Sequence, residues 1–262
     1  MRAYRIHKDG AVGRGTLQEM DRADLDEGAV LVRTHYAGVN YKDALAGLGG
    51  APIVRRYPVN GGIECVGIVE ASEDPRFAVG DAVICHGRGI GVSHDGGFAD
   101  HLRVPADWLL ALPDGLSLWE AATLGVAGYS AGLAVDRLET LGLLPGPLPA
   151  VVSGATGGVG SFGVTMLARL GHAVTAISSK PDALDYLKGL GAQTVIAPDA
   201  LPSKPMEKAR WCGGIDAAGG SILAGMLAAT DKDGAIAAIG NAAGVELSTT
   251  VLPFILRGVT LT

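Results

Sequence analysis

The sequence has 262 residues with a formal net charge of −6, and 48% of its residues are hydrophobic while 18% are charged. This balance provides for a sizeable core and excludes general disorder, and the acidic charge argues against a nucleic-acid or anionic-membrane surface. The length exceeds what one core usually serves, which predicts two domains.

Two further classes of protein are excluded by simple features. No apolar run has the length of a membrane span, and the opening residues MRAYRIHKDG lack the apolar stretch of a signal peptide, so we expect a soluble, cytoplasmic protein. The cysteines at 65, 85 and 212 are odd in number and widely spaced, which predicts reduced, mostly buried thiols rather than a disulfide framework or a metal site.

Short strands, rather than helices, dominate the first part of the chain. Apolar or alternating runs bounded by glycine, aspartate or proline predict strands at 29–36, 64–71, 82–85 and 98–104. This spacing indicates a twisted, mostly antiparallel β domain over residues 1–120. From Leu118 the apolar spacing becomes helical, and a Pro-Gly-Pro run at 145–147 interrupts the chain before the next strand.

The stretch AVVSGATGGVGSFGVTMLARLG, at 150–171, predicts a strand, a glycine turn and a helix. Glycines in such a turn let the backbone bend sharply and approach a pyrophosphate, which binds the free N–H groups that open the helix. We therefore expect a dinucleotide to bind at Thr156, Gly157, Gly158 and Val159. A turn of this kind that binds nothing is the alternative.

The residues after the second strand of this unit indicate which dinucleotide is bound. An NAD site usually has an acidic residue there, which accepts hydrogen bonds from the ribose hydroxyls. The sequence instead has Ser178, Ser179 and Lys180, two hydroxyl donors and a cation that suit a 2′-phosphate, which favours NADPH. In the alternative, Lys180 is a solvated charge and Asp182 takes the place of the acid, although we expect Asp182 to cap the next helix.

The second half of the chain alternates strands and helices, which is typical of a parallel sheet with crossover helices. We predict strands at 150–153, 173–177, 193–197, 214–217 and 234–239 with a sixth opening at 259, and helices at 158–170, 181–190, 203–211 and 220–230. Six strands in this order fit the doubly wound dinucleotide fold. Gly240 begins a glycine-rich loop at the carboxyl edge of the fifth strand, so it either contacts the cofactor or forms a bare turn.

Several motifs occur together along the chain: NYKD at 40–43, GIECVG at 62–67, VGD at 79–81, GGFA at 96–99 and the glycine turn. Together they resemble the medium-chain dehydrogenase/reductase superfamily. The runs NYKDAL at 40–45, SEDPRF at 72–77 and PFILR at 253–257 look like its zinc-independent, quinone oxidoreductase-like branch, and within it the bacterial NADPH-dependent acryloyl-CoA reductases. The resemblance implies an α/β protein with a GroES-like catalytic or substrate domain at 1–120 and a Rossmann domain with a doubly wound parallel sheet at 121–262.

The chain departs from the zinc-dependent members of the superfamily, which hold the catalytic metal with a cysteine near position 40 and a His-Glu pair near 63–64. Here these positions are Asn40 and Ile63-Glu64. Without thiolate and imidazole at ligand spacing a tetrahedral zinc site cannot be assembled. We therefore expect a zinc-independent reductase in which Glu64 is a buried, hydrogen-bonded carboxylate.

A second departure lies at the end of the chain. Relatives continue beyond the position of Thr262 and return to the β domain, so the resemblance implies a fragment or a naturally short form that lacks this C-terminal return. It also implies a homodimer at full length, formed through the last Rossmann strand. In that strand we expect Leu261 to bind the cofactor.

The resemblance assigns the chemistry to Asn40 and Tyr41. Reduction of an activated C=C bond without a metal needs hydride from NADPH, polarisation of the carbonyl oxygen and an acid for the α-carbon. Tyr41 would lie beside the nicotinamide and donate the proton, while Asn40 would orient the cofactor amide or the substrate. Alternatively, Tyr41 only packs on the nicotinamide and water supplies the proton.

The implied reaction is the reduction of acryloyl-CoA to propionyl-CoA. Arg55 and Arg56 would then bind coenzyme A phosphates, or they are solvated charges, and Asp43 caps the helix that follows the NYKD loop. Two alternatives to this function stay open, a quinone or enone oxidoreductase and a protein that binds NADPH without chemistry. The tryptophans at 108, 119 and 211 are expected to be core or interface anchors.

Overall fold

The computed structural model describes all 262 residues, and the chain divides into two compact units, Met1–Val126 and Ala127–Thr262. No helix is both long and apolar enough to cross a membrane. The assignment of 1–120 to substrate binding and of 121–262 to the dinucleotide stays a prediction about function.

The first unit is built from two antiparallel sheets, ordered β2-β1-β4 and β7-β3-β5-β6-β8. Its elements are β1 (Arg2–Asp9), β2 (Val12–Glu19), β3 (Val30–Tyr36), α1 (Tyr41–Gly47), β4 (Val59–Asn60), β5 (Glu64–Ser72), β6 (Ala82–His86), β7 (His101–Val104) and β8 (Leu109–Ala111). The four strands predicted from sequence are present as β3, β5, β6 and β7. The mostly antiparallel β domain is therefore confirmed.

Alternate positions of the five-stranded sheet supply its core, for example Val30 and Val32 of β3 and Leu102 of β7. The thiols of Cys65 and Cys85 lie in the same core, where burial raises their pKa to about 11 and about 12, so both are protonated at neutral pH. These two cysteines are buried, as predicted, and Cys212 is half-buried.

Helix α2 (Leu118–Thr140) follows the first unit's strands and is interrupted at Gly125, where φ is +51° and ψ is −160°. Ser117 opens the helix, because its hydroxyl accepts from the Glu120 N–H at 3.2 Å while the Glu120 carboxylate accepts from the Ser117 N–H at 2.8 Å. This reciprocal capping box is the Ser-x-x-Glu signature of a helix start.

The second unit contains a six-stranded parallel sheet ordered β11-β10-β9-β12-β13-β14. Its elements are β9 (Ala150–Val152), α3 (Gly158–Arg169), β10 (Val174–Ile177), α4 (Leu184–Gly189), β11 (Thr194–Ile196), β12 (Gly213–Asp216), α5 (Gly220–Ala228), β13 (Ala235–Ala238), α6 (Leu252–Arg257) and β14 (Thr260–Leu261). In chain order this is 3-2-1-4-5-6, the doubly wound arrangement that the sequence predicts.

Both faces of this sheet are covered, which explains why its strands are almost continuously apolar. Along β13, Ala235 and Ala237 pack in one core cluster, whereas Ile236 between them packs in a second cluster on the opposite face. Trp211 belongs to the second cluster and is buried, with its indole N–H donating to the Met226 carbonyl at 2.7 Å. Trp119, by contrast, is 64% exposed and is not a core residue.

The helix predicted at 203–211 is wrong, since this segment has no regular structure. Pro205 provides no N–H for a helix and disfavours helical geometry in the residue before it. The backbone instead bonds to the end of α5, because the N–H groups of Glu207 and Arg210 donate to the carbonyls of Ala228 and Ala229, each at 2.9 Å.

His172, just before β10, makes stability depend on pH. It is 6% exposed, its Nδ1 is buried without a partner, and burial lowers its pKa. A histidine with a lowered folded pKa binds fewer protons in the native than in the unfolded state. The free energy of unfolding should therefore fall as pH drops below about 6.5, the unfolded value.

We predict that His172→Gln makes this fall shallower, as measured by urea unfolding at several pH values. The matched control is His35→Gln, which makes the same substitution at an exposed histidine and so measures the effect of the replacement itself. Parallel pH profiles for wild type and His172→Gln would contradict the prediction.

Candidate active site

The glycine turn between β9 and α3 is tight because two of its positions require glycine. Gly154 has a φ of +54°, and its carbonyl accepts from the Gly157 N–H at 2.8 Å. A Cβ on Gly160 would lie 2.3 Å from the Gly154 carbonyl oxygen, so a side chain there would push the helix away from the turn. The helix therefore begins directly against the end of the strand.

The residues predicted to bind the pyrophosphate lie at the start of this helix. The Ser161 N–H, bonded to the Gly157 carbonyl at 2.9 Å, is the first to close a helical turn. The amides of Gly158 and Val159 precede it and have no acceptor within the helix. With the Thr156 N–H they form an accessible set of N–H groups that fits an anionic phosphate, whereas Gly157 contributes its exposed backbone, because its own N–H is bonded to Gly154.

The end of β10 lies beside this turn, because the Ala155 N–H donates to the Ile177 carbonyl at 3.2 Å. Ser178 is buried and its hydroxyl accepts from the Lys180 N–H at 3.1 Å, so it shapes the loop. Ser179 and Lys180 are exposed and available to a ligand. The expectation that Asp182 caps the next helix is wrong, since Lys180 occupies the cap position of the short 3₁₀ turn that precedes α4.

Gly240 lies at the same carboxyl edge, after β13. Its N–H donates to the Asp216 carbonyl at 3.3 Å, and a Cβ at this position would lie 2.1 Å from the Ala217 carbonyl oxygen. Leu261 is in β14, the edge strand, paired with Ile236 and 37% exposed. Their roles in cofactor binding stay predictions.

In the first unit, the NYKD loop is held by the carboxylate of Asp43. One oxygen accepts from the Asn40 N–H at 2.8 Å and the other from the Ile63 N–H at 3.0 Å. Burial raises the pKa of Asp43, and these two hydrogen bonds oppose that rise. The prediction that Asp43 caps α1 is wrong, because Asn40 is the N-cap residue. Asp43 is the third residue of the helix, and its carboxylate accepts from the N–H of the cap residue.

Glu64 is buried, as predicted, and connects Asn40 to the break in α2. Its Oε2 accepts from the Asn40 Nδ2 at 3.2 Å and from the Val126 N–H at 2.6 Å. Two glycines make room for the carboxylate, because a Cβ on Gly38 or on Gly125 would lie 2.0 Å or 2.7 Å from Oε1. Glu64 therefore fixes the orientation of the Asn40 amide.

This donor set does not fit the zinc ion that the family implies. At the three family positions stand an amide, an aliphatic side chain and one carboxylate that already accepts two hydrogen bonds. No group of three or more His, Cys, Asp and Glu side chains in the chain is arranged to hold a metal ion.

The remaining residues predicted to contact the substrate are Tyr41, Arg55 and Arg56, and all three are exposed. Tyr41 begins α1 and is 59% exposed, so its phenol is accessible. Arg56 pairs with Asp26 and lies 3.9 Å from Asp95, so it is engaged within the unit rather than free for a ligand. Arg55 is exposed.

Comparison with known proteins identifies the family. The family described as Alcohol dehydrogenase GroES-like domain matches residues 26–114, and the one described as Zinc-binding dehydrogenase matches residues 158–262. The chain belongs to the medium-chain dehydrogenase/reductase superfamily. It is similar to the acrylyl-CoA reductase AcuI of Ruegeria pomeroyi, with 42% identity over 98% of this chain and 79% of that protein.

Two further relatives confirm this placement. YhfP of Bacillus subtilis, named as a quinone oxidoreductase, is 46% identical over 91% of this chain and 73% of that protein, and its structure with NAD bound matches with a TM-score of 0.93. The crystal structure of Escherichia coli YhdH with bound NADPH has a TM-score of 0.97 at 43% identity, covering 99% of this chain and 81% of that one. The resemblance and fold class predicted from sequence are therefore confirmed.

The close packing of Glu64 on Gly125 leads to a prediction. Gly125→Ala should lower the free energy of unfolding by about 1–3 kcal/mol, because a residue with a Cβ is strained at this φ and ψ and would contact the carboxylate. The measurement is urea unfolding.

The matched control is Gly132→Ala in the same helix, where a Cβ has open space. It should raise stability by roughly 0.5–1 kcal/mol through helix propensity. Equal effects of the two substitutions would show that the Glu64 contact is unimportant.

Proposed function

We propose that the protein is an NADPH-dependent reductase of an activated C=C bond, converting acryloyl-CoA to propionyl-CoA without a metal. The observation that carries this proposal is the similarity, over nearly the whole chain, to an acrylyl-CoA reductase. The glycine turn and the exposed Ser179 and Lys180 support binding of a phosphorylated dinucleotide.

NADPH, when bound, is the source of the hydride that reaches the β-carbon of the enoyl thioester. The α-carbon needs one proton to complete the saturated acyl group, and the accessible phenol of Tyr41 is the proposed donor. The amide of Asn40, held by Glu64, is the proposed hydrogen-bond donor to a carbonyl oxygen. A Tyr41 that only packs on the nicotinamide, with water as the acid, is the alternative.

A second candidate function is reduction of a quinone or simple enone, which the name of the Bacillus subtilis relative favours. Both functions use the same hydride donor, so only the substrate distinguishes them. A protein that binds NADPH without chemistry would show binding and no oxidation of the cofactor. We also propose that the full-length protein is a homodimer and that its substrate is an enoyl-CoA.

The test is NADPH oxidation with acryloyl-CoA, and separately with a quinone, on the wild type and on Tyr41→Phe. Loss of the phenol as acid should lower kcat with acryloyl-CoA by roughly 10²-fold, in the range of general acid catalysis, with the NADPH dissociation constant unchanged.

Tyr186→Phe is the control for this test, because Tyr186 is also exposed, at 51%, but lies on α4. Tight NADPH binding without turnover of either substrate would disprove the reductase function. Full activity of Tyr41→Phe would favour water as the acid.

A second prediction concerns cofactor choice. Lys180→Glu should raise the dissociation constant of NADPH by roughly 10–100-fold, because a charge-assisted contact to the 2′-phosphate is replaced by repulsion. The dissociation constant of NADH should hardly change, and both are measured by fluorescence titration. Lys188→Glu, at an exposed position on α4, is the control. Equal weakening for both dinucleotides would contradict the assignment.

A further inference from the structure

Asp216, the last residue of β12, is a buried carboxylate with only neutral partners. It is 0% exposed, and Ser153, which follows β9, is 0% exposed as well. One oxygen of Asp216 accepts from the Ser153 hydroxyl at 2.5 Å and from the Ala218 N–H at 3.2 Å, and the other accepts from the Gly219 N–H at 2.8 Å. Burial raises the pKa of this carboxyl group.

A carboxylate is a costly residue for this place in a sheet. Burying it costs free energy that hydrogen bonds only partly offset, and an apolar residue of similar size often packs as stably. What the carboxylate adds is a fixed arrangement of donors around it. Its contacts show which backbone segments it fixes.

The pair joins three segments at the carboxyl edge of the sheet. Ser153 directly precedes Gly154 of the glycine turn, and its hydroxyl oxygen accepts from the Ala217 N–H at 2.9 Å. The main-chain carbonyl of Asp216 accepts from the N–H groups of Ile239, at 2.7 Å, and Gly240. The side-chain pair thus links the ends of β9 and β12, and the main chain of Asp216 links the same point to the end of β13.

Close packing means that a shift of one segment disturbs the others. A Cβ on Gly154 would lie 3.4 Å from the Ala217 Cβ, and one on Gly240 would lie 2.1 Å from the Ala217 carbonyl oxygen. Ala217 is therefore packed between the first glycine of the glycine turn and Gly240, the residue that we predict to contact the dinucleotide. Its position is set by the Ser153 hydroxyl.

We infer that Asp216 and Ser153 are positioning residues for the dinucleotide, which set the register of the glycine turn against Gly240 without touching the ligand. This inference rests on the cofactor of the proposed function and not on its substrate. The residues act through one another, because the Asp216 carboxylate orients the Ser153 hydroxyl that holds Ala217.

The experiment compares Asp216→Asn, Ser153→Ala and the double variant by fluorescence titration with NADPH. In Asp216→Asn the amide NH₂ must face the N–H of either Ala218 or Gly219. Because two donors cannot bond to each other, we expect the 217–219 segment to move. The dissociation constant should rise roughly tenfold, the value for one buried donor left unpaired. At saturating NADPH, kcat should stay within about twofold, because neither residue contacts the reacting atoms.

Thr230→Val is the matched control for a purely structural effect. Thr230 is also 0% exposed and donates one hydrogen bond, to the Met226 carbonyl at 2.8 Å, but it follows α5 and lies outside the three segments. Its replacement should lower the melting temperature and leave NADPH binding unchanged. If Asp216→Asn and Ser153→Ala also lose only stability, the inference is overturned.

The double variant tests whether the two residues act as a pair. It should weaken NADPH binding no more than the stronger single variant, whereas additive losses would contradict the pair. Titration needs no substrate, so a wild type that binds NADPH but reduces nothing would disprove the reductase and leave this inference standing. If Asp216→Asn is active and binds NADPH as tightly as the wild type, this inference is disproved and the reductase function stands.

Discussion

The contact between Gly160 and the Gly154 carbonyl is the constraint on which the second unit depends. It lets α3 begin directly against the end of β9, which directs the unpaired amides at the helix start towards the carboxyl edge. A helix that began further away would leave these amides in open solvent. The acidic chain could then offer a dinucleotide phosphate only isolated cations such as Lys180.

Each of the two units contains a buried carboxylate that is stabilised by neutral hydrogen-bond donors rather than by a cation. Glu64 accepts from an amide and a backbone N–H, and Asp216 accepts from a hydroxyl and two backbone N–H groups. A nearby cation would have lowered the electrostatic cost, but it would not have fixed several backbone segments at once. In both units the carboxylate therefore defines geometry next to a candidate site.

Sequence reasoning found what local patterns encode and missed what only tertiary contacts create. The parallel strands were predictable because burial on both faces makes them apolar runs. β1 and β2 contain many charged and polar residues and were missed, although Gly10, which opens the two-residue turn between them with a φ of +61°, is a hairpin signal. The pairing of Ser153 with Asp216 was missed because the two residues are 63 positions apart and neither is one of the glycines that define the turn.

Replacing the zinc ligands changes what Glu64 has to do. In zinc-dependent relatives a thiolate and an imidazole stand where this chain has Asn40 and Ile63, and a carboxylate beside a cation is compensated by charge. Here the carboxylate has only N–H donors, and one of them is the Asn40 amide. Because an amide carries two N–H groups, the bond to Glu64 orients the second one while leaving it free to donate. The carboxylate thus sets the direction of a neutral donor, and in the function that we propose this donor would polarise the carbonyl oxygen as the enolate forms.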